Sequence, residues 1–153
     1  MRLVALDPGG VTGWASKRED EQWLFQQIGP EEHHDLLYRM LTSHLPTVVV
    51  CEHFEWRPNR HQNAEYGDRY VELISREYEG VVKLWGSIFN MPVVIQTAGH
   101  AKGFVKDENI KKLGLWQPGQ KHAMDALRHA LRYITDPKND HPDRMKYLQK
   151  GWK

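Results

Sequence analysis

Four side chains in this sequence have the types and positions to do chemistry together. Asp7 closes the apolar run "RLVAL" and precedes Pro-Gly-Gly, and Glu52 closes a second apolar run, "TVVVCE". His122 and Asp125 lie three residues apart on "KHAMDALRHALRYI", and His129 follows His122 at i+7, on the same face at helical spacing. Each has a plain structural reading. Asp7 can be an Asx-turn residue before Pro-Gly, Glu52 a strand end that has reached solvent, and the helical trio a solvated polar face. Asp7, Glu52 and Asp125 plus one histidine make an oxygen-rich set with one nitrogen, which suits a hard cation such as Mg²⁺ or Mn²⁺. Three or four such ligands in one place repel one another, so their joint use implies a pair of ions. Two ions about 3.5–4 Å apart activate water and stabilise the leaving oxygen in phosphodiester hydrolysis. That chemistry needs no nucleophilic side chain, and the sequence has no GxSxG motif. It has no GxxxxGK[ST] loop either, so P-loop ATP hydrolysis is unsupported.

To bring these groups together, the chain must set two buried strands side by side and lay its last periodic helix across them. "RLVAL" (2–6) and "TVVVCE" (47–52) are apolar throughout and read as strands covered on both faces. "VTGWASK" (11–17) and "QWLFQQIG" (22–29) follow the first across short turns, as in an antiparallel meander. A helix starts at Pro30-Glu31-Glu32 and carries Leu36, Leu37, Met40 and Leu41 on one face. A polar, aromatic-bearing loop (53–65) leads to a long helix from Tyr66 to Phe89, with Gly80 as its weak point. "MPVVIQTA" (91–98) is a fifth strand, and 99–120 reads as irregular with a short helix near 104–113. The helix over 121–134 has Ala123, Leu127, Ala130, Leu131 and Ile134 as its packing stripe. The order β-β-β-α-β-α-β-α predicts an α/β fold, a mixed five-stranded sheet of three antiparallel and two parallel strands with helices on both faces. The domain is expected to span 1–137, with a loose, basic polar tail over 138–153.

Bulk composition bounds the answer. The 153 residues are 40% hydrophobic and 27% charged, in keeping with one globular domain. No apolar run reaches the roughly 18 residues of a membrane span, and the N-terminal run reads as a core strand rather than a signal peptide. A single cysteine, Cys51, excludes an intramolecular disulfide and fits a reducing compartment. The absence of CxxC argues against structural zinc. The net charge of +1 is uninformative, but arginines cluster over 56–76 and lysines over 138–153. Such clusters are either solvated surface or phosphate contacts.

The "LDPGGVTGWA" hairpin, a fourth strand ending in glutamate and a last helix reading "HAMDALRHAL" resemble the RuvC-type Holliday-junction resolvases of the RNase H-like, retroviral-integrase superfamily. The resemblance spans about 1–135 in element order. It implies an RNase H-like fold and a Mg²⁺- or Mn²⁺-dependent endonuclease, two ions per site, that nicks branched DNA as a homodimer in the cytoplasm. Asp7 and Glu52 match the first two acidic ligands and Asp125 the last. His122 falls where many members carry aspartate and some histidine. Histidine must be neutral to ligate, so metal binding should weaken at low pH. His129, one turn beyond Asp125, is assigned a supporting place behind the ligands. The short chain with a basic tail would suit a phage-encoded version.

DNA contacts follow from the same resemblance. The loop "HFEWRPNRHQNAEYG" places Phe54 and Trp56 beside the site, interleaved with Arg57 and Arg60. An aromatic there acts as a wedge at the crossover, and base stacking is worth about 1–3 kcal/mol. Arg57, Arg60, Arg69, Lys102, Lys106, Lys111, Lys112 and Lys121 would hold backbone phosphates, which give affinity without sequence reading. The helix over 66–89 offers Tyr70, Leu73, Tyr78, Val81, Trp85 and Phe89 as a symmetric dimer surface. Three other readings stay open: a flap- or RNA-processing nuclease of the same fold (the YqgF-like branch), a non-catalytic junction-binding protein and an actin-like kinase. The last requires far more than 153 residues.

Overall fold

The computed structural model describes residues 1–19, 22–29, 34–55 and 66–152, with 66–73 described by backbone alone. Five strands form one sheet: β1 (Leu3–Asp7), β2 (Thr12–Lys17), β3 (Trp23–Ile28), β4 (Val48–Glu52) and β5 (Val93–Gln96), in the order β3-β2-β1-β4-β5. β1 and β3 run antiparallel to β2, while β4 is parallel to both β1 and β5. This is the mixed α/β sheet that the element order predicts. The connections are α1 (His34–His44), α2 (Tyr66–Phe89), α3 (Ala98–Lys102), α4 (Asp107–Lys112), α5 (Lys121–Thr135) and α6 (Arg144–Gly151). Among the described residues no helix is long and apolar enough to cross a membrane.

The period of two along each strand divides the core into two layers. Leu3 and Ala5 of β1, with Val48 and Val50 of β4, pack against Ala123, Ala126, Leu127, Ala130 and Leu131 of α5. Val4 and Leu6, with Val49 and Cys51, pack on the other side against Leu37 and Leu41 of α1 and Ile74, Tyr78, Val82 and Trp85 of α2. Each fully buried leucine or valine contributes about 1.5–3 kcal/mol. A one-residue slip would exchange the two sets, so the register is strongly specified. Asp7 and Glu52 continue the odd and even series that face α5, and the core thereby aims both carboxyls at the helix that carries His122 and Asp125.

Several boundaries depart from expectation. β5 is four residues long, and the connection after it holds two short helices, α3 and α4, rather than one. Residues 144–151 are a docked helix, not a loose tail. Tyr147 is 6% exposed, Trp23 Nε1–H donates to its hydroxyl at 3.0 Å, and Lys17 pairs with Asp143 at 2.8 Å. A few well-placed side chains hold a helix that is otherwise polar. Tyr78 and Trp85, read from sequence as dimer surface, are core residues, 2% and 0% exposed, and Val81 and Phe89 pack against that core. Among the described side chains of α2, the large apolar residues left exposed are Leu84 and Ile88, each 58% exposed. Tyr70 and Leu73 lie outside the residues whose side chains are described.

Candidate active site

β1, β4 and β5 are parallel, so their C-terminal ends form one edge, and the candidate residues gather along it. Asp7 ends β1, Glu52 ends β4 and Gln96 ends β5. α5 crosses this edge at very close range because Gly13 of β2, paired with Asp7, has no side chain. A Cβ at Gly13 would lie 1.9 Å from the carbonyl oxygen of His122 and 2.2 Å from its carbon. The N-terminus of α5 is further fixed by the His122 backbone N–H, which donates to Gln27 Oε1 at 3.0 Å.

The groups read from sequence do converge. His122 Nδ1 lies 3.3 Å from Asp7 Oδ2. His129 is fully buried between α5 and the sheet, with Nε2 2.7 Å from Glu52 Oε2 and Nδ1 3.0 Å from Gln96 Oε1. In their midst stands Lys102, the last residue of α3. Its Nζ is 2.9 Å from Glu52 Oε2, 3.4 Å from Asp7 Oδ1 and 3.4 Å from Asp125 Oδ2. Asp125 is held from behind by Arg128, whose Nη1–H donates to Oδ1 at 2.5 Å. The Arg128 guanidinium also binds Asp107 at the start of α4.

The electrostatics follow from this crowding. Burial raises the Asp7 carboxyl above its ordinary range, and the neighbouring Glu52 adds to this against the opposing pull of His122 and Lys102. Burial also pushes Glu52 up, but His129, Asp7 and Lys102 outweigh it and bring its pKa down to about 2. Lys102 loses hydration, yet Asp7 and Glu52 hold its ammonium in the charged form well above the usual range. The repulsion read from sequence is thus offset within the chain by Lys102 and by the groups behind the carboxylates.

Three carboxylates of different elements point at one cation position, and an imidazole adjoins them. This donor set fits a hard divalent ion. Among the described residues no three His, Cys, Asp or Glu groups are gathered as a ready-made ligand cage, and the space between the three carboxylates is taken by the Lys102 ammonium.

The other sequence-derived residues are placed unevenly. Phe54, half-buried, follows β4, and its backbone N–H donates to Glu79 Oε2 of α2 at 2.9 Å. Burial pushes the Glu79 carboxyl up, but hydrogen bonds from Lys83, Phe54 and His53 hold it below the ordinary carboxylate range. A cavity of about 420 Å³ beside them is lined by His53, Phe54, Arg76, Glu79, Gly80 and Lys83. Lys106, Lys111, Lys112 and Lys121 are exposed, and Lys111 Nζ sits 5.0 Å from the centre of the Trp116 ring. Trp56, Arg57 and Arg60 lie outside the described residues, as does the side chain of Arg69. Lys102, expected on backbone phosphate, stands instead among the carboxylates. Arg128, Gln96, Gly13 and Glu79 were not singled out from sequence. Only Arg128 left a signal, at i+3 from Asp125 on the same helix.

Compared by sequence, the chain matches no protein-family model and no curated protein. Compared by structure, it is similar to Thermus thermophilus RuvC in complex with a Holliday-junction substrate, with a TM-score of 0.61 at 18% identity over 88% of this chain and 92% of that one. Another Thermus thermophilus RuvC structure gives a TM-score of 0.58 at 19% identity, covering 88% of this chain and 93% of that one. Ydc2, the yeast mitochondrial Holliday-junction resolvase, gives 0.52 at 16% identity, covering 97% of this chain and 83% of that one. The chain therefore has the RuvC-type, RNase H-like fold, with Asp7, Glu52, His122 and Asp125 converging at the C-terminal edge of its sheet.

Proposed function

We infer that this protein is a divalent-metal-dependent endonuclease selective for branched DNA, with the four-way junction as its principal substrate. The observation that carries the reading is the convergence of Asp7, Glu52 and Asp125 on a single cation position at the sheet edge. The RuvC-type fold, met in a protein solved with a Holliday junction, supports the substrate class. Asp7, Glu52, Asp125 and His122 are the residues that would hold Mg²⁺ or Mn²⁺, two ions per site. When bound, the ions supply an activated water and stabilise the leaving oxygen of the phosphodiester.

The chain's own contribution is position and charge. Glu52 is fully ionised at neutral pH, and His129 fixes its orientation from a dry position. Arg128 holds one oxygen of Asp125 and leaves the other facing the centre. The Pro8-Gly9-Gly10 turn beside Asp7 keeps bulky side chains out of the approach of a phosphate. Phe54, tied through its backbone to Glu79, is set to stack on an unpaired base beside the site. Lys121, with Arg57, Arg60 and Arg69, supplies phosphate contacts. Leu84 and Ile88 on the outer face of α2 are the apolar surface for a second copy of the chain, which would present two sites to two strands.

A cleavage panel tests the reading: four-way junction, flap, duplex and structured RNA, each with Mg²⁺ or Mn²⁺. The junction should be nicked fastest. Faster cutting of the flap or the RNA would move the substrate while keeping the site. An absence of metal-dependent cutting on every substrate would leave a junction-binding protein and refute the enzyme.

A further inference from the structure

We propose that Lys102 is a tethered counter-ion that occupies the metal position of the free protein and exchanges with incoming metal, its released ammonium then passing to the substrate phosphate. The exchange rests on the reading of Asp7, Glu52 and Asp125 as metal ligands.

Geometry carries the argument. Lys102 Nζ reaches one oxygen from each of three carboxylates on three different elements, at 2.9, 3.4 and 3.4 Å. A divalent ion needs those same oxygens at about 2.0–2.2 Å for Mg²⁺-like coordination, so the ammonium and the ion cannot both stand there. The lysine is placed to leave. Its backbone is anchored, because Ala101 on one side is fully buried and Val105 shortly beyond it is too. Its side chain is 35% exposed and lines a surface pocket of about 350 Å³ together with Asp125 and Arg128. A lysine is a flexible stem with a strongly hydrated point charge, suited to swinging between partners. Arg128, also beside Asp125, is held by Asp107 as well and does not share this freedom.

Two consequences follow. Without DNA, metal must compete with an internal cation. If the engaged lysine outnumbers the withdrawn one about ten to one, apparent metal affinity is reduced roughly tenfold, since only the withdrawn fraction can bind. With DNA, a backbone phosphate offers the displaced ammonium a new anion. Metal and DNA then strengthen each other's binding by the same factor. The carboxylates are thereby kept neutralised at every stage, first by lysine and then by metal.

The test uses the full chain without DNA and reads metal binding by calorimetric titration with Mn²⁺. Lys102→Met should bind Mn²⁺ about tenfold more tightly than wild type. Lys106→Met, which removes a nearby exposed charge outside the carboxylate cluster, controls for the general field and should change affinity less than about twofold. A second readout needs no variant: amine acetylation of the wild type followed by mass spectrometry. Lys102 should be modified several-fold faster once Mn²⁺ is bound, while Lys106 is unchanged. Equal or weaker Mn²⁺ binding by Lys102→Met, an equal gain in Lys106→Met, or a Lys102 labelling rate indifferent to Mn²⁺ would each overturn the exchange. Failure of wild type and Lys102→Met alike to bind Mn²⁺ would overturn the metal-site reading and the exchange with it.

Discussion

Gly13→Ala changes one hydrogen into a methyl on a central strand, and two effects compete over the outcome. In an unstrained position the substitution stabilises by about 0.4–1 kcal/mol through the unfolded chain. Here the new Cβ would stand 1.9 Å from the His122 carbonyl oxygen, 2.2 Å from its carbon and 2.8 Å from the Ala123 nitrogen. These are backbone atoms in the first turn of a helix packed on the sheet, and no side-chain rotation relieves them. Ordinary contact begins near 3.4 Å, so α5 must retreat by about 1.5 Å. Overpacking of this kind costs about 1–3 kcal/mol, at the upper end where rigid groups meet. The clash therefore outweighs the entropy gain, leaving a net loss of about 2 kcal/mol, or a Tm lower by about 4–8 °C. The same retreat carries His122 and Asp125 away from Asp7 and Glu52. A misplacement of about 1 Å at a reacting centre can cost on the order of 10²-fold in rate. Urea denaturation, Mn²⁺ titration and junction cleavage on one preparation check all three effects. A Gly13→Ala protein as stable as wild type, with Mn²⁺ affinity and cleavage intact, would refute the claim that close approach of α5 builds the site.

Two further outcomes follow from buried groups. His129→Leu removes the imidazole that lies 2.7 Å from Glu52 and leaves a buried carboxylate with one partner fewer. A hydrogen bond to a charged group is worth about 1.5–3 kcal/mol, so denaturant unfolding should shift by that amount. An unchanged midpoint would show that the contact contributes nothing. His141, 5% exposed, has its pKa lowered from 6.5 chiefly by burial, and its Nδ1 accepts the Asp143 N–H at 3.1 Å ahead of α6. A depressed folded pKa means that the unfolded chain binds the proton more readily. The associated stability is complete above pH 6.5 and drains away as pH falls below it. His141→Asn keeps an acceptor and removes the titration. Its Tm should fall less than that of wild type between pH 7.5 and pH 5, and parallel profiles would contradict this assignment.

The legible part of the fold was the part written in apolar runs. "RLVAL" and "VVVC" are continuous because both faces of β1 and β4 are covered, and their parity already puts Asp7 and Glu52 on one side. The periodicity of α5 likewise placed His122, Asp125 and His129 on one face. Lys102 was not legible, because α3 is five residues long and has no period to read, and a lysine's reach hides where its charge ends up. The outward face of α2 is hidden in the sequence for a related reason. Helical spacing defines a stripe but does not say which stripe meets the sheet, and Tyr78 and Trp85 turned out to be the core. α6 has no apolar stripe to read, because it is held by a few separate contacts such as Tyr147 and the buried Gly151. Glu79 also left no mark in the sequence, since its role depends on a backbone N–H that lies twenty-five positions away.

The metal-ligand role proposed for Asp7 in phosphodiester cleavage underlies every other role in the site. It is tested most directly by Asp7→Asn assayed on a four-way junction with Mg²⁺ or Mn²⁺, cleavage and binding being measured side by side. Asparagine keeps the shape and removes the charge that faces Lys102 at 3.4 Å and His122 at 3.3 Å. The expected result is junction binding close to wild type with cleavage reduced by at least about 10³-fold, on the scale of losing a principal electrostatic contributor. Cleavage by Asp7→Asn at the wild-type rate would contradict the assignment of the site.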